Sequence, residues 1–440
     1  MENQAPLLLW PTVGSLLALL CLYFSLRAAR RRRFVDNLPT SKTTGVFLGL
    51  VELKGTAEAE KPLTSFLAET ACVYYTWSVE EHWSRTVTET YTDSQGRTQT
   101  RTRHESGWKT VASGGEEIAF HLQDDCGVIR IQPAGAKMEP VEVFDTTCGR
   151  TDPLYYGKGP ALAVADSDHR RHFVERAISL HARIYIMGQA RERNDIVAPE
   201  IAHEGHEPMF LISTRTEEQV SSGLHWTFRL AGLLGLILCV GGFVGRDIAL
   251  ERDPQFFIAT YFLAGISFLF MWFVGWFWMV YNSMIDLRQR VRQAWANVDV
   301  QLKRRYDLIP NLVRAVEGMR DHEQKLQAEL AQLRLQLQAT PPGEPGPDHQ
   351  ACSVIMAAAV ESYPELKANE SFLNLQKNLV DTEQRIALAR SYFNDIATFY
   401  NTRLQIIPDR FVAALGTMKP QTLMAANYFE RAPVRVQLAT

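Results

Sequence analysis

Three long apolar stretches stand out along the chain, at residues 7–26, 224–244 and 256–281. The first and third contain no charged residue, and the second contains only Arg229. A helix needs about 20 apolar residues to cross the hydrocarbon core of a bilayer. The pattern therefore predicts three transmembrane helices, with residues 1–6 and 245–255 on the same side of the membrane.

An arginine cluster follows the first apolar stretch and predicts the orientation of the chain. Its members are Arg27, Arg30, Arg31, Arg32 and Arg33, at the start of a basic linker over residues 27–44. Clustered arginines beside a membrane helix stay on the cytoplasmic side, and basic residues that follow the apolar stretch are typical of an uncleaved anchor. We therefore expect an external N-terminus and loop 245–255, with cytoplasmic residues after Arg27 and again after Tyr281.

Side chains at the ends of the other two stretches suit the membrane interface. These are Trp226, Arg229, Trp276 and Trp278. Indole rings lie at the level of the lipid headgroups, and long arginine side chains extend towards them. Together with the five clustered arginines, these residues are predicted to contact lipid, so the bilayer is the first predicted partner.

Residues 45–215 follow a different pattern, with short apolar runs separated by turn residues. The run at 71–83 is rich in aromatic and β-branched residues, which is typical of a strand. Threonines occupy every second position in 86–92 and in 98–102, on either side of turn-forming residues 93–96, so they predict a polar hairpin. We expect a mainly antiparallel, β-rich (α+β) domain.

From Asn282 onward the pattern is helical. Apolar side chains spaced four and three residues apart include Leu302, Tyr306, Ile309, Val313 and Val316, and later Leu326, Leu330, Leu333 and Leu337. This spacing is typical of helices that pack lengthwise. It predicts a long helix that can be continuous with the third apolar stretch. A kink or break is expected near Ile309, because Pro310 removes a backbone donor.

A proline- and glycine-rich segment at 339–349 predicts a flexible linker, and a second long helix is expected from about residue 369 to 404, ended by Pro408. One side of that helix is formed by Leu373, Gln376, Leu379, Thr382, Ile386, Ala389, Tyr392, Ile396 and Tyr400. The residues after 281 are therefore expected to form an all-α antiparallel bundle.

Composition narrows the range of functions. The chain has 46 lysines and arginines against 49 aspartates and glutamates, a net charge of −3, which lacks the basic excess of a nucleic-acid-binding protein. Its six cysteines include no CxxC pair, which argues against a zinc ribbon. We predict no nucleic-acid partner and no cofactor.

Few residues of the sequence are candidates for a catalytic or metal site. His203 and His206 are three residues apart, whereas a helical zinc site needs histidines four apart, so a solvated loop is favoured over a metal site. His169, Arg170, Arg171 and His172 suggest a polar surface turn. Asp124 and Asp125 fit a turn between strands, and Cys72, between Ala71 and Val73, fits a small buried strand residue.

Distributed glycine, proline and aromatic positions in 49–81, 108–133 and 183–218 resemble the GIDE, or "beside a membrane", domain. That family is best known from a mitochondrial-membrane ubiquitin ligase whose transfer activity belongs to a C-terminal RING finger. The resemblance implies a domain next to transmembrane helices. No cysteine follows Cys352, so a RING finger is not expected and a ligase-like transferase is the disfavoured alternative.

Residues 294–318, 371–395, 400–408 and 428–436 resemble the LemA family. The motif positions are Trp295, Asp299, Arg304, Arg305, Pro310, Asn311, Asn374, Asn394, Tyr400, Asn401, Pro408, Arg431 and Pro433. LemA proteins generally have an external N-terminus and a cytoplasmic helical bundle, and the family includes a magnetosome-membrane protein. The resemblance implies a bacterial inner-membrane protein and suggests action alongside a membrane metallopeptidase.

The sequence as a whole favours a membrane-anchored scaffold or adaptor over an enzyme. Helices with heptad-spaced leucines can pair within a chain or between chains, and symmetric self-association is common, so a homo-oligomer is expected. The alternatives are a metal-dependent hydrolase that uses His203 and His206, the ligase-like transferase, and an adaptor of a membrane peptidase.

Overall fold

The computed structural model describes residues 5–92, 98–193, 198–205, 209–317 and 370–424. The chain divides into a helical unit, residues 1–39 and 220–440, and a β-rich unit, residues 40–219. The described helices are α1 (Ala5–Asp36), α2 (Pro153–Gly157), α3 (Glu217–Ala249), α4 (Ile258–Glu317), α5 (Glu370–Gln405) and α6 (Asp409–Leu415).

The strands belong to the β-rich unit. They are β1 (Thr40–Ser41), β2 (Gly49–Glu58), β3 (Leu63–Thr64), β4 (Ala71–Thr92), β5 (Thr98–Glu117), β6 (Phe120–Gln123), β7 (Val128–Ile131), β8 (Lys137–Glu139), β9 (Val141–Gly149), β10 (Ser167–Ser179), β11 (Arg183–Glu192), β12 (Pro199–Ala202) and β13 (Leu211–Ser213). Most strand pairs are antiparallel, so the predicted β-rich region is present.

Five of these strands close into a small barrel, a closure that the strand patterns do not predict. The order is β2, β6, β7, β12 and β11, and β11 pairs back onto β2. Alternating apolar residues of these strands fill the interior, among them Leu53, Phe120, Ile131 and Ile186. Closure requires β2 to pair with both β6 and β11, and the strand pattern of one segment does not reveal its distant partners.

The predicted threonine hairpin is confirmed. Strands β4 and β5 pair in register from Tyr74 with Glu117 to Thr92 with Thr98, with one irregularity between Val79 and Glu80. Threonines face threonines across the strands, and such cross-strand pairs stabilise a sheet without an apolar face. The predicted turn at 93–96 lies outside the described residues.

The predicted surface turn at residues 169–172 is wrong, because Arg171 lies in β10 and is 0% exposed. Its guanidinium donates to the Glu81 carboxylate from Nε (3.2 Å) and Nη2 (3.1 Å), and to the backbone oxygens of Tyr155 and Pro160. Strand alternation places every second side chain of β10 in the core. A buried arginine is tolerated there because acceptors surround it.

The three apolar helices α1, α3 and α4 pack on one another in alternating directions. A Cβ built on Gly14 of α1 would lie 2.8 Å from the Gly242 Cα of α3, so these two backbones are in contact. Ser25 of α1 donates to the Phe228 oxygen of α3 (2.9 Å) and accepts from the Trp272 indole of α4 (3.2 Å). Small residues and interhelical hydrogen bonds are the usual means of packing helices in a membrane.

All three helices are long and apolar enough to cross a membrane. Their ends differ from the prediction, because α1 continues through the arginine cluster to Asp36 and α3 includes Arg246 and Asp247. The predicted linker 27–44 and loop 245–255 are therefore partly helical. Charged side chains can continue a helix beyond an apolar run, since arginine is a good helix former.

Helix α4 runs for 60 residues, from the third apolar stretch into the segment beyond it. Continuity with that stretch is confirmed, and the break expected near Ile309 is not found within the described residues of α4. Pro310 removes only one backbone hydrogen-bond donor, so the hydrogen bonds of the turns before and after it are sufficient to keep α4 helical. The leucines at 326–337 and the predicted linker 339–349 lie outside the described residues.

Candidate functional site

Helices α4 and α5 pack lengthwise in opposite directions. Near one end the rings of Trp295 and Phe393 meet edge to face, with centroids 5.3 Å apart, and further along α4 Arg305 Nη1 lies 3.6 Å from Glu383 Oε1. The buried seam residues are Val291, Ala294, Val298 and Leu302 of α4 and Thr382, Ile386, Ala389, Phe393, Ile396 and Tyr400 of α5. Phe393 is buried in this seam, whereas Tyr392, which was predicted on the same side of the helix, is half-buried.

The other LemA-motif positions are spread along this helix pair. Arg304 lies 4.0 Å from Asp381, Asp299 is half-buried and Asn374 is exposed. Pro310 and Asn311 lie within α4, and Arg431 and Pro433 lie outside the described residues. Arg304 and Arg305 thus both contact acids of the partner helix.

Two motif asparagines of α5 hold the segment that follows α6. Asn401 donates to the Gln421 oxygen (2.8 Å) and accepts from the Gln421 N–H (2.8 Å). Asn394 makes the same two bonds with Met424 (3.0 and 2.8 Å). The asparagines are two helical turns apart, about 10 Å, and residues 421 to 424 cover that distance only when nearly extended. We call this arrangement the asparagine clamp.

Removing one asparagine should release one end of the clamped segment. In Asn401→Ala, hydrogen exchange of the Gln421 amide should accelerate about tenfold, since two hydrogen bonds with a combined net worth of about 1–3 kcal/mol are lost. Exchange resolved to single amides by fragmentation mass spectrometry would measure this. Asn374→Ala, at an exposed position of the same helix, is the matched control, and equal exchange in both variants would contradict the clamp.

A second contact joins the end of α1 to α6. Arg33 donates from Nη1 and Nη2 to the two carboxylate oxygens of Asp409, at 3.0 and 2.8 Å, and Asp409 is buried. Two parallel bonds of this kind are the strongest form of arginine–carboxylate pairing. Arg33, a predicted lipid contact, therefore contacts a protein carboxylate through its whole guanidinium fork.

Arg403 of α5 lies in the same group, which we call the arginine junction (Arg33, Asp36, Asn37, Arg403 and Asp409). Arg403 donates to Asn37 Oδ1 (2.9 Å) and lies 3.7 Å from Asp409 and 3.9 Å from Asp36. Burial, and then the charge of Arg33, lowers the pKa of Arg403. Arg33 and Arg403 both lie close to the Asp409 carboxylate, so the junction depends on Asp409.

The remaining basic residues of α1 have different surroundings. Arg30 lies over one face of the Phe34 ring and Arg290 of α4 also lies over that ring, each about 5.6 Å from its centroid. Arg32 contacts Asp36 (3.2 Å) and His225 (2.6 Å). Arg27 is exposed above the Tyr23 ring, and Arg31 is half-buried.

The predicted interface residues of α3 and α4 are mostly on the surface of the helical unit. Trp226, Arg229 and Trp278 are exposed, and Trp276 is half-buried against a cluster that includes Ala29 and Met284.

Tyr400 presents an unusual buried polar group. Its ring is fully buried in the α4–α5 seam, and its hydroxyl has no hydrogen-bond partner among the residues that the structure describes. Burial raises the pKa of this phenol, although the charges of Arg288 and Arg292 partly oppose the change. The side chain is therefore neutral and acts as a packing group.

The candidate metal and thiol residues behave largely as structural groups. His203 lies in an exposed loop with its ring against Gly135, and His206 lies outside the described residues. Asp124 Oδ1 accepts from the backbone N–H groups of Cys126 and Gly127, at 2.8 and 2.9 Å, which confirms the predicted turn. Cys72 is buried as predicted, and burial raises its pKa to about 11.

Sequence reasoning missed the acidic members of the arginine junction and the buried Glu81–Arg171 pair. Asp409 had one available signal, its position directly after the helix-ending Pro408. The pairing partners are far apart in sequence, 376 residues for Arg33 and Asp409. No local pattern could therefore have joined them.

Comparison with known proteins gives two family matches. The LemA family model matches residues 294–438, and the GIDE model, described as E3 ubiquitin ligase, matches residues 88–245. The magnetosome proteins MamQ 2 and MamQ 1 of Paramagnetospirillum magneticum are each 22% identical over 193 residues, which covers 37% of this chain and 68% of each relative. The C-terminal part of the chain thus carries the LemA match and the N-terminal part the GIDE match, in the arrangement that the two sequence resemblances indicate.

Proposed function

We propose that this protein is a membrane-anchored scaffold or adaptor of the bacterial inner membrane. Helices α1, α3 and α4 would span the bilayer, and residues 40–219 and 282–440 would lie in the cytoplasm. The protein would self-associate and present its two parts to other membrane components. Its activity would be binding, without turnover of a substrate.

The distribution of charge supports this orientation. The arginines of α1 and the arginines at 288, 290 and 292 of α4 lie at one end of the packed helices, where Arg30 and Arg290 share the Phe34 ring. At the opposite end, residues 245–255 carry two arginines and three acidic residues. The positive-inside rule assigns the arginine-rich end to the cytoplasm.

The observation that carries the proposal is the continuity of α4. One unbroken helix connects the third apolar stretch with the segment that packs on α5. The arginine junction ties α6 and the end of α5 back to α1. The α4–α5 pair is therefore connected to the apolar helices at two points, through α4 itself and through the arginine junction. Such a connection suits a protein that positions partners relative to a membrane.

The two sets of relatives fit this role to different extents. The matched curated relatives are magnetosome proteins, and their name does not state a molecular activity. The GIDE model is described as E3 ubiquitin ligase, but this sequence has no cysteine after Cys352 from which a RING finger could be built. We therefore favour the adaptor role over ligase-like transfer and over metal-dependent hydrolysis.

The mass and composition of the complex extracted intact from native membranes test the proposal. A large assembly of this chain alone is expected for a scaffold, and a mixed assembly that contains a membrane peptidase would make the protein an adaptor. A strictly monomeric particle in mild detergent would contradict self-association.

Metal analysis of the same sample separates the enzyme alternative. Stoichiometric zinc that disappears in the His203→Ala, His206→Ala double variant would favour a hydrolase over the scaffold. A stable, metal-free protein is the expected result.

A further inference from the structure

Helix α6 has one apolar face that packs within the helical unit and a second that does not. Val412 and Ala413 are buried against Ala29 of α1 and Met279, Val280 and Met284 of α4. Phe411 and Leu415 are 63% and 73% exposed, and Ile407, in the turn before the helix, is 67% exposed. Phe411 and Leu415 are four residues apart and therefore lie on the same side of α6. We call the three exposed residues the α6 stripe.

The contacts of the buried face fix the height of α6 along the membrane helices. Its partners on α4 lie between Met279 and Met284, on both sides of Tyr281, where the third apolar stretch ends. A Cβ built on Gly416, directly after α6, would lie 3.2 Å from Tyr281 Cε2. Six residues of α4 cover about 8 Å, which is close to the thickness of one headgroup layer.

From this position we infer that the α6 stripe inserts into the bilayer interface, with Phe411, Leu415 and Ile407 among the lipid chains near the headgroups. The inference rests on the proposed membrane-spanning placement of α4. An amphipathic helix that lies in the interface typically buries its apolar face about 5–10 Å into the boundary between headgroups and acyl chains. The stripe would form a fourth contact with the membrane.

Charge near the stripe agrees with a lipid surface. Arg410, in the first turn of α6, and Lys419, after its end, are exposed. Arg27 and Arg30 of α1 are exposed close to its contact residue Ala29. Basic side chains beside an inserted apolar face contact anionic headgroups. The arginine junction holds α6 at this height from inside the protein, through Asp409.

The size of the stripe favours lipid over a second copy of the chain. One Phe, one Leu and one Ile offer at most a few hundred Å², since even an aromatic side chain buries only about 150–250 Å². A stable interface between proteins needs about 1,200 Å² or more in total. A bilayer needs no such minimum, because it already surrounds the neighbouring helices.

Photo-crosslinking of the full chain tests the inference. The photoreactive analogue p-benzoylphenylalanine would replace Phe411, and the protein would be irradiated in vesicles of phosphatidylethanolamine and phosphatidylglycerol. Phe270, exposed in the third apolar stretch, is the matched control inside the membrane. Val300, exposed on α4 about 28 Å beyond Tyr281, is the control in water. Intact mass and gel electrophoresis then identify lipid adducts and protein crosslinks.

We expect lipid adducts at position 411 within about threefold of those at position 270, and less than a tenth as many at position 300. Adducts at 270 without adducts at 411 would overturn the inference and leave the membrane-spanning helices in place. A covalent dimer formed from position 411 would overturn it in favour of a second copy. If neither position 270 nor position 411 forms lipid adducts, the membrane-spanning proposal itself is overturned. Equal numbers of lipid adducts at all three positions would overturn the inferred position of the α6 stripe at the bilayer interface.

Discussion

Replacement of Arg171 by methionine is expected to lower the free energy of unfolding of the β-rich unit by about 3–5 kcal/mol, the usual cost of removing one partner of a buried ion pair. Glu81 and Arg171 are both fully buried, with Nη2 and Oε2 3.1 Å apart. The variant leaves the Glu81 carboxylate with the hydroxyl donors of Tyr155 and Ser167, at 2.7 and 2.5 Å, and without a countercharge.

Hydrogen exchange of the full chain, measured in detergent, would detect this loss at the amides of β4 and β10. The matched control is Arg176→Met in the same strand. Arg176 and Glu142 are both exposed and 3.4 Å apart, and a pair of this kind contributes about 0–1 kcal/mol. If the two variants lose the same protection, the buried pair is not a major source of stability.

The same pair should make the β-rich unit sensitive to acid. Burial opposes ionisation of Glu81, but hydrogen bonds from Ser167, Tyr155 and Arg171 outweigh it, so its pKa is lowered. A lowered pKa in the folded state means that the stabilisation is present above the ordinary glutamate pKa and is lost as the pH falls through the folded value. Glu81→Gln should therefore reduce the change in stability between neutral and acidic pH.

The second large effect is expected at the arginine junction. Asp409→Leu should destabilise the packing of α6 on α1 and α5 by about 3 kcal/mol, because it leaves Arg33 and Arg403 close together without the carboxylate between them. Asp409 lies 2.8 Å from Arg33 and 3.7 Å from Arg403. The amides of Gly416 and Met418, which donate to Val412 and Ala413, should then exchange faster.

Two further variants separate this effect from a general loss of charge. Asp381→Leu removes the half-buried partner of Arg385, at 2.9 Å on one helix, and of Arg304, at 4.0 Å, and should cost no more than about 1 kcal/mol. The double variant Arg33→Met, Asp409→Leu should cost less than the sum of its single variants, because it also removes one uncompensated cation. Strict additivity would show that the two groups do not act as a pair.

Local sequence determined the elements of this protein well. Uninterrupted apolar stretches predicted α1, α3 and the first part of α4, and threonine alternation predicted the hairpin of β4 and β5. Heptad spacing predicted most of the buried side of α5, and Pro408 its end. Each of these features lies within a single segment of about 7 to 20 residues, so the pattern of that segment is sufficient to define it.

The tertiary structure alone decided where charged and exposed side chains go. Arg171 and Arg33 have sequence neighbours typical of a surface, yet both meet a carboxylate brought from 90 or 376 residues away. The closure of the barrel and the height of α6 beside Tyr281 also depend on distant contacts. A charge is buried only where the fold supplies its partner, and no single segment of the sequence contains that information.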